Sequence, residues 1–179
     1  MTGGFAETIV LFDVEDVNDC RPKFGNDSYR VAISESVPFG SVVLKLTATD
    51  GDSSGPNSDV TFSILRDKNN ASDVFEIDSI SGELILKRSL DRERQKRHLV
   101  TVVATDRGSP RQLLSTALVI VDVIDSNDNS PEFEEAEYQV SLSDRAVRGQ
   151  FVAKVRAIDH DEGGTLVYSI IGGNKHQVM

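Results

Sequence analysis

Acidic side chains, set close together at regular places, are the groups in this sequence best suited to chemistry. Asp16-Val17-Asn18-Asp19-Cys20 has a later copy in Asp125-Ser126-Asn127-Asp128-Asn129, and Asp50-Gly51-Asp52 has one in Asp159-His160-Asp161. Glu35 lies in Ser34-Glu35-Ser36, Asp91 and Glu93 flank Arg92, and Asp106 stands alone in Ala104-Thr105-Asp106. Hard cations take six to eight oxygens from carboxylates, amides and backbone carbonyls, which these clusters supply densely. Carboxylates this crowded repel one another unless a cation neutralises them. With three scattered His and one Cys, the chain fits zinc, copper and iron poorly.

The elements that must position these groups follow from an internal repeat. Thr8–Asp16 recurs as Ala117–Asp125, an offset of 109 residues (125 − 16). The same offset carries Asn18-Asp19 onto Asn127-Asp128, Pro22 onto Pro131, Phe24 onto Phe133, Tyr29 onto Tyr138 and Gly40 onto Gly149. A period this long suits an array of domains rather than a solenoid. Inside one unit, apolar residues alternate at Val42, Leu44 and Leu46, at Leu84 and Leu86, and at Val100, Val102 and Ala104. Period two means strands with one face inward. Turn-forming runs such as Pro38-Phe39-Gly40, Lys68-Asn69-Asn70 and Gly108-Ser109-Pro110 separate them. The pattern predicts seven strands, near 29–34, 41–49, 60–65, 74–77, 83–88, 98–105 and 114–124. It predicts an all-β antiparallel sandwich without long helices.

Composition narrows the function. The 29 Asp and Glu outnumber 19 Lys and Arg, a formal net charge of -10, which argues against nucleic-acid phosphates. Cys20 has no partner for an internal disulfide. No apolar run is long enough to span a membrane, and the N-terminus lacks the basic start of a signal peptide.

Asp-x-Asn-Asp-Asn-x-Pro-x-Phe, Leu-Asp-Arg-Glu, Ala-x-Asp and Asp-x-Asp, in this order and at this period, resemble cadherin repeats of the Fat-like or protocadherin-like kind. The resemblance covers nearly the whole chain. It implies a seven-strand Greek-key immunoglobulin-like sandwich over 25–133, preceded in 1–24 by the last strand and linker of another repeat. A truncated second repeat would follow over 134–179. With few strands to cover it, that tail is expected to be weakly ordered, leaving Leu142, Phe151, Val155 and Ile158 partly exposed.

The resemblance also implies Ca2+ between consecutive repeats. After the complete repeat, the inner ions would use Glu35, Asp91, Glu93 and Asp128, helped by the Ser126 carbonyl and Asp161. The outer ion would use Asn127, the Asn129 carbonyl, Asp159 and Asp161. Before the complete repeat, an outer ion would use Asn18, the carbonyls of Cys20 and Asn57, Asp50, Asp52 and Asp106. The implied function is non-enzymatic, calcium-dependent cell–cell adhesion on the extracellular side of the plasma membrane. Its partners would be other cadherin repeats in cis or trans, homophilic or heterophilic.

Blander readings stand beside these. An isolated Asp pair is commonly a solvated turn, Arg92 is a solvated or packing residue, and the basic stretch Arg88–Arg97 is a solvated connection. Asn26-Asp27-Ser28 and Asn70-Ala71-Ser72 are glycosylation sequons that agree with an extracellular surface. Three other functions compete: a glycoside hydrolase using Asp91 and Glu93, a calcium-binding accessory sandwich of a bacterial adhesin or secreted hydrolase, and a truncated product without function.

Overall fold

The computed structural model describes residues 3–66 and 71–173. Its elements are β1 (Lys23–Phe24), β2 (Ser28–Ser34), β3 (Val42–Lys45), β4 (Ala48–Thr49), β5 (Thr61–Ile64), one helical turn α1 (Ala71–Val74), β6 (Phe75–Ile77), β7 (Glu83–Leu86), β8 (Arg97–Thr105), β9 (Leu114–Ile124), β10 (Glu132–Phe133) and β11 (Ala157–Ile158). A four-stranded sheet runs β2-β9-β8-β5 and a three-stranded sheet β3-β7-β6, with short pairs β1-β4 and β10-β11. The two larger sheets supply the seven strands of a sandwich. The turn Lys68-Asn69-Asn70 and the sequon residue Asn70 lie outside the described residues, as does His176.

The alternation in the sequence becomes the core. Val100 and Val102 of β8, Val119 and Val121 of β9, Leu84 and Leu86 of β7 and Phe75 of β6 are all fully buried in one cluster. Burying a side chain the size of Phe75 stabilises by about 1.5–3 kcal/mol. The edge of its ring neighbour His98 packs on it with centroids 5.4 Å apart. Across the outer face, Arg30 of β2 and Arg97 of β8 both reach Asp122 of β9 at 2.6 Å. This holds Asp122 below the usual carboxylate range, first through the Arg30 hydrogen bond and then through that of Arg97.

Three features differ from the sequence expectation. The sandwich is not wholly antiparallel: β2 and β9 pair in parallel from Ser28↔Leu118 to Ser34↔Ile124. Parallel neighbours need a long crossover, and most of the repeat lies between these two. The run expected over 41–49 splits into β3 and β4. Register slips between Val42 and Leu44, Leu46 N–H turns to the Gly82 carbonyl at 2.9 Å, and β4 pairs with β1 instead of β7. That close approach requires Gly82, whose φ is +71° and whose Cβ would lie 2.3 Å from the Leu46 carbonyl oxygen. Finally, Thr8–Asp16, expected as a strand, forms none, and its apolar residues are exposed. A strand needs a neighbour for its backbone groups, and no described residue pairs with this segment.

Residues 134–173 contribute only β11, paired with β10 through Glu132↔Ile158 and Phe133↔Ala157. Leu142, Phe151, Val155 and Ile158 are exposed.

Candidate metal centre

The acidic residues gather at the two ends of the sandwich. At one end, Glu35 directly follows β2 and its N–H bonds the Ile124 carbonyl at the end of β9, at 3.1 Å. This places the Glu35 side chain where the chain leaves β9 for the linker. The carboxylate, on a residue 5% exposed, accepts the Arg92 N–H at 2.7 Å and the Ser126 N–H at 2.8 Å. It thereby joins the Asp91-Arg92-Glu93 turn to the linker. Asp91 shapes that turn by accepting the Arg94 N–H at 2.8 Å. Glu35, Asp91, Glu93, Asp128 and Asn129 line one open cavity.

Two carboxylate triads form there. Oxygens of Glu35, Glu93 and Asp128 lie within 4.8 Å of one another, and so do oxygens of Glu93, Asp125 and Asp161. A backbone N–H draws the Glu93 carboxyl down, but burial and the charges of Glu35 and Asp125 outweigh it, leaving its pKa raised. Burial, then the Glu35 and Asp161 charges, raise Asp128 as well. Like charges held together in this way are the electrostatic condition a bound cation would relieve. Asp161 is buried and accepts the Asn129 N–H at 3.0 Å and Asn129 Nδ2 at 2.7 Å, while Asp159 accepts the Asp161 N–H at 3.0 Å. Asn127 is exposed on the linker.

The other end repeats the pattern. The Cys20 N–H donates to both Asp52 oxygens, at 3.2 and 3.3 Å, and the Asp52 N–H donates to Asp50 at 3.0 Å. Asp106, fully buried at the end of β8, accepts the Gly108 N–H at 3.0 Å, the Leu113 N–H at 3.1 Å and Asn18 Nδ2 at 3.3 Å. Asn18 Nδ2 also reaches the Arg111 carbonyl at 2.8 Å. Gly108 makes this docking possible, because a Cβ there would lie 2.1 Å from Asn18 Nδ2. The residues fit a cation on a separate ground too. Asn18 Oδ1 and Asp50 Oδ2 are buried oxygens with no hydrogen-bond partner, and buried acceptors of this kind are costly unless satisfied. The Asp52 hydrogen bond, then burial, pushes the Cys20 thiol up to about 11. Its sulfur stays protonated at neutral pH, which leaves the carbonyl as the oxygen donor at this position.

Four residues outside the expected ligand sets also shape the site. Asp16 accepts the Ser53 N–H at 3.3 Å and Asn57 Nδ2 at 2.9 Å, so the Asn57 side chain faces Asp16. Asp125 accepts the N–H of Glu162, the counterpart of Ser53 at the same offset. Asp16 and Asp125 therefore anchor the Asp-x-Asp loops, and their matched positions in the two copies were the available signal. Arg92 is not solvated. It is 8% exposed and pairs with Asp125 at 3.6 Å and with the Glu162 carboxylate. Glu162 had no sequence signal beyond its place after Asp161.

A family model for the cadherin domain matches residues 29–124, more than half of the chain. The chain is 40% identical over 179 residues to human Protocadherin Fat 1, and 42% identical over 181 residues to the Fat-like cadherin-related tumor suppressor homolog of Drosophila melanogaster. Each alignment covers 99% of this chain and 4% of the relative's length. Among solved structures, mouse Cadherin-23 EC22-24 superposes with a TM-score of 0.76 at 30% identity, covering 83% of this chain and 46% of that one. The extracellular cadherin domains 1-4 of Protocadherin Gamma B7 give 0.72 at 39%, covering 83% and 35%. These relatives are cadherins, which leaves the glycoside hydrolase reading without support. Among the described residues no helix is long and apolar enough to cross a membrane.

Proposed function

The chain belongs to the cadherin family, and from that premise we propose that it is a calcium-binding stretch of an extracellular adhesion array. Residues 25–133 form one repeat with its linker, 1–24 belong to the repeat before it and 134–179 to the repeat after it. The observation that carries this reading is the convergence of Glu35, Glu93 and Asp128. They come from the end of β2, the turn before β8 and the linker after β9, yet their oxygens come within 4.8 Å of one another. Glu35, Asp91, Glu93 and Asp128, with the Ser126 carbonyl and Asp161, would hold the inner ions. Asn127, Asn129, Asp159 and Asp161 would serve the outer ion of that junction. Asn18, Cys20, Asp50, Asp52, Asn57 and Asp106 would serve the junction before it.

Calcium supplies positive charge that lets these carboxylates approach without repulsion. The residues do the remainder. Glu35 ties the Asp91–Glu93 turn to the linker, and Asp161 ties the linker to the following segment through Asn129. A cation that binds this folded arrangement and not a loose linker favours the straight array by mass action. Extracellular modules of this type bind at roughly 10⁻⁴ to 10⁻³ M, so the joint would respond to external calcium. The partners would be other cadherin repeats in cis or trans, in homophilic or heterophilic contact, on the outer side of the plasma membrane.

Limited proteolysis with millimolar calcium and with EGTA tests the reading. Protection of Asp16–Pro22 and Asp125–Pro131 by calcium is expected. Identical cleavage in both conditions would remove the mechanism and leave the fold.

A further inference from the structure

The two ends of the sandwich differ at one position of the anchored loop. After Asp52 comes Ser53, and after Asp161 comes Glu162, at the same 109-residue offset (162 − 53). Both donate a backbone N–H to the first Asp of the linker, Asp16 or Asp125. Glu162 adds a charge. Its carboxylate pairs with Arg92, and with Lys96 Nζ at 3.1 Å. Among the described residues, these are the ion pairs that connect segment 134–173 to the turn carrying Asp91 and Glu93.

The environment of Arg92 gives this contact its meaning. Its guanidinium is nearly buried beside Asp125 and within the field of Glu93, groups that crowd the proposed cation site. A buried guanidinium must be paired. Without Glu162, the nearest remaining acid is Asp125, already 3.6 Å away, and Arg92 would turn onto it as a competitor for the negative field of the site. With Glu162 present, Asp125 Oδ1 is left with no hydrogen-bond partner, and its other oxygen holds the Glu162 N–H.

We propose that Glu162 is a positioning residue for this junction: it draws Arg92 toward segment 134–173 and holds the Asp159–Asp161 loop against the linker before any ion arrives. This rests on the calcium reading above and deepens it. The preceding junction, with Ser53, has no such ion-pair latch among the described residues and is held by hydrogen bonds of Asp16, Asn18 and Cys20.

The test is a double-mutant cycle on the full chain: wild type, Glu162→Gln, Arg92→Met and the double variant. Calcium affinity is read by calorimetry, and amide exchange over 159–165 is read in EGTA. Partly exposed ion pairs of this kind predict that E162Q weakens calcium binding by about two- to fivefold and speeds exchange of the 159–165 amides without calcium. In the Arg92→Met background, E162Q should cost clearly less, only what the exposed pair with Lys96 contributes. An equal loss in both backgrounds would mean that Glu162 acts only as a distant charge, and would overturn the proposal. Unchanged affinity and exchange in E162Q would also overturn it, and that comparison stands even if Arg92→Met does not fold. A wild-type chain that takes up no calcium would defeat the calcium reading itself. Normal wild-type binding with an E162Q variant identical to it would defeat only the role of Glu162.

Discussion

Thr8–Asp16 and Ala117–Asp125 carry the same pattern 109 residues apart and meet different fates. Ala117–Ile124 runs between β2 and β8, hydrogen-bonded on both sides, with Val119 and Val121 fully buried. Thr8–Asp16 forms no strand, and Phe12 is 84% exposed. The linkers that follow nevertheless fold alike. In each, the first Asp accepts a backbone N–H from the acidic loop, and the N–H of Cys20 or Asn129 donates to the second Asp of Asp-x-Asp. A strand is thus made by its neighbours, whereas the linker turn is made by side chains within its own short motif and one facing loop.

Four outcomes sharpen or break this likeness between the two ends. The largest is expected at two proposed ligands that also act as structural anchors. Asp106→Ala strands the N–H groups of Gly108 and Leu113 and removes one of two acceptors of the Asn18 amide, and should cost about 2–4 kcal/mol of unfolding free energy without calcium. Glu35→Ala, which strands the N–H groups of Arg92 and Ser126, should cost about 2 kcal/mol. Urea unfolding in EGTA measures both. Losses below about 0.5 kcal/mol would mean that the anchors are decorative.

Calcium itself comes next. At an ion concentration 10- to 100-fold above its dissociation constant, wild type should gain about 1.4–2.7 kcal/mol per site. Glu35→Ala should lose most of the gain at the following junction, while Asp106→Ala should lose it at the preceding one. Urea unfolding with and without calcium resolves the two, and an equal gain in all three proteins would break the assignment.

The pH dependence is smaller. The folded-state pKa values of Glu93 and Asp128 are raised above their unfolded values. Their contribution to stability is therefore fully present below the unfolded carboxylate value near 4 and is lost as pH rises through the folded values. Glu162 runs the other way. It is held at about 2, first by the Arg92 hydrogen bond and then by that of Lys96, so its contribution is present above the unfolded value and lost as pH falls through 2. On acidification in EGTA from neutral pH toward the unfolded carboxylate value, the Glu93 and Asp128 part of the stability should rise while calcium affinity falls. Melting curves of Glu93→Gln should show a flatter rise, and an unchanged slope would contradict the crowding of these acids.

The smallest effect tests the two linker copies directly. Asn129 Nδ2 bonds Asp161 at 2.7 Å, an amide donor in whose place Cys20 offers Asp52 only a weaker thiol. Cys20→Asn should supply the amide and stabilise by about 0.5–1 kcal/mol, read as a small rise in melting temperature. Destabilisation would show that the two loops are not equivalent.

Much of this was legible in the residues. Alternation at Val100, Val102 and Ala104 placed β8, and the fixed offset placed the acids at both ends of one unit. The ends of the sandwich were legible because the motifs carry their own turn chemistry. The split of 41–49 was not, because it depends on the Gly82 carbonyl, more than thirty residues away, taking the Leu46 N–H. The parallel β2–β9 pair was hidden for a similar reason: alternation gives a strand its faces but not the direction of its neighbour. For Arg92 the sequence left solvated and packing readings open, because burial of a long cation is decided by partners from distant segments, here Asp125 and Glu162.

The proposed calcium site at the junction after β9 is built on Glu35, Glu93 and Asp128. Calorimetric titration of calcium into the wild-type chain and into Glu93→Gln tests it most directly. Uptake in the range of about 10⁻⁴ to 10⁻³ M is expected for wild type, with the junction's share lost in the variant. Equal uptake by both proteins, or none by either, would contradict it.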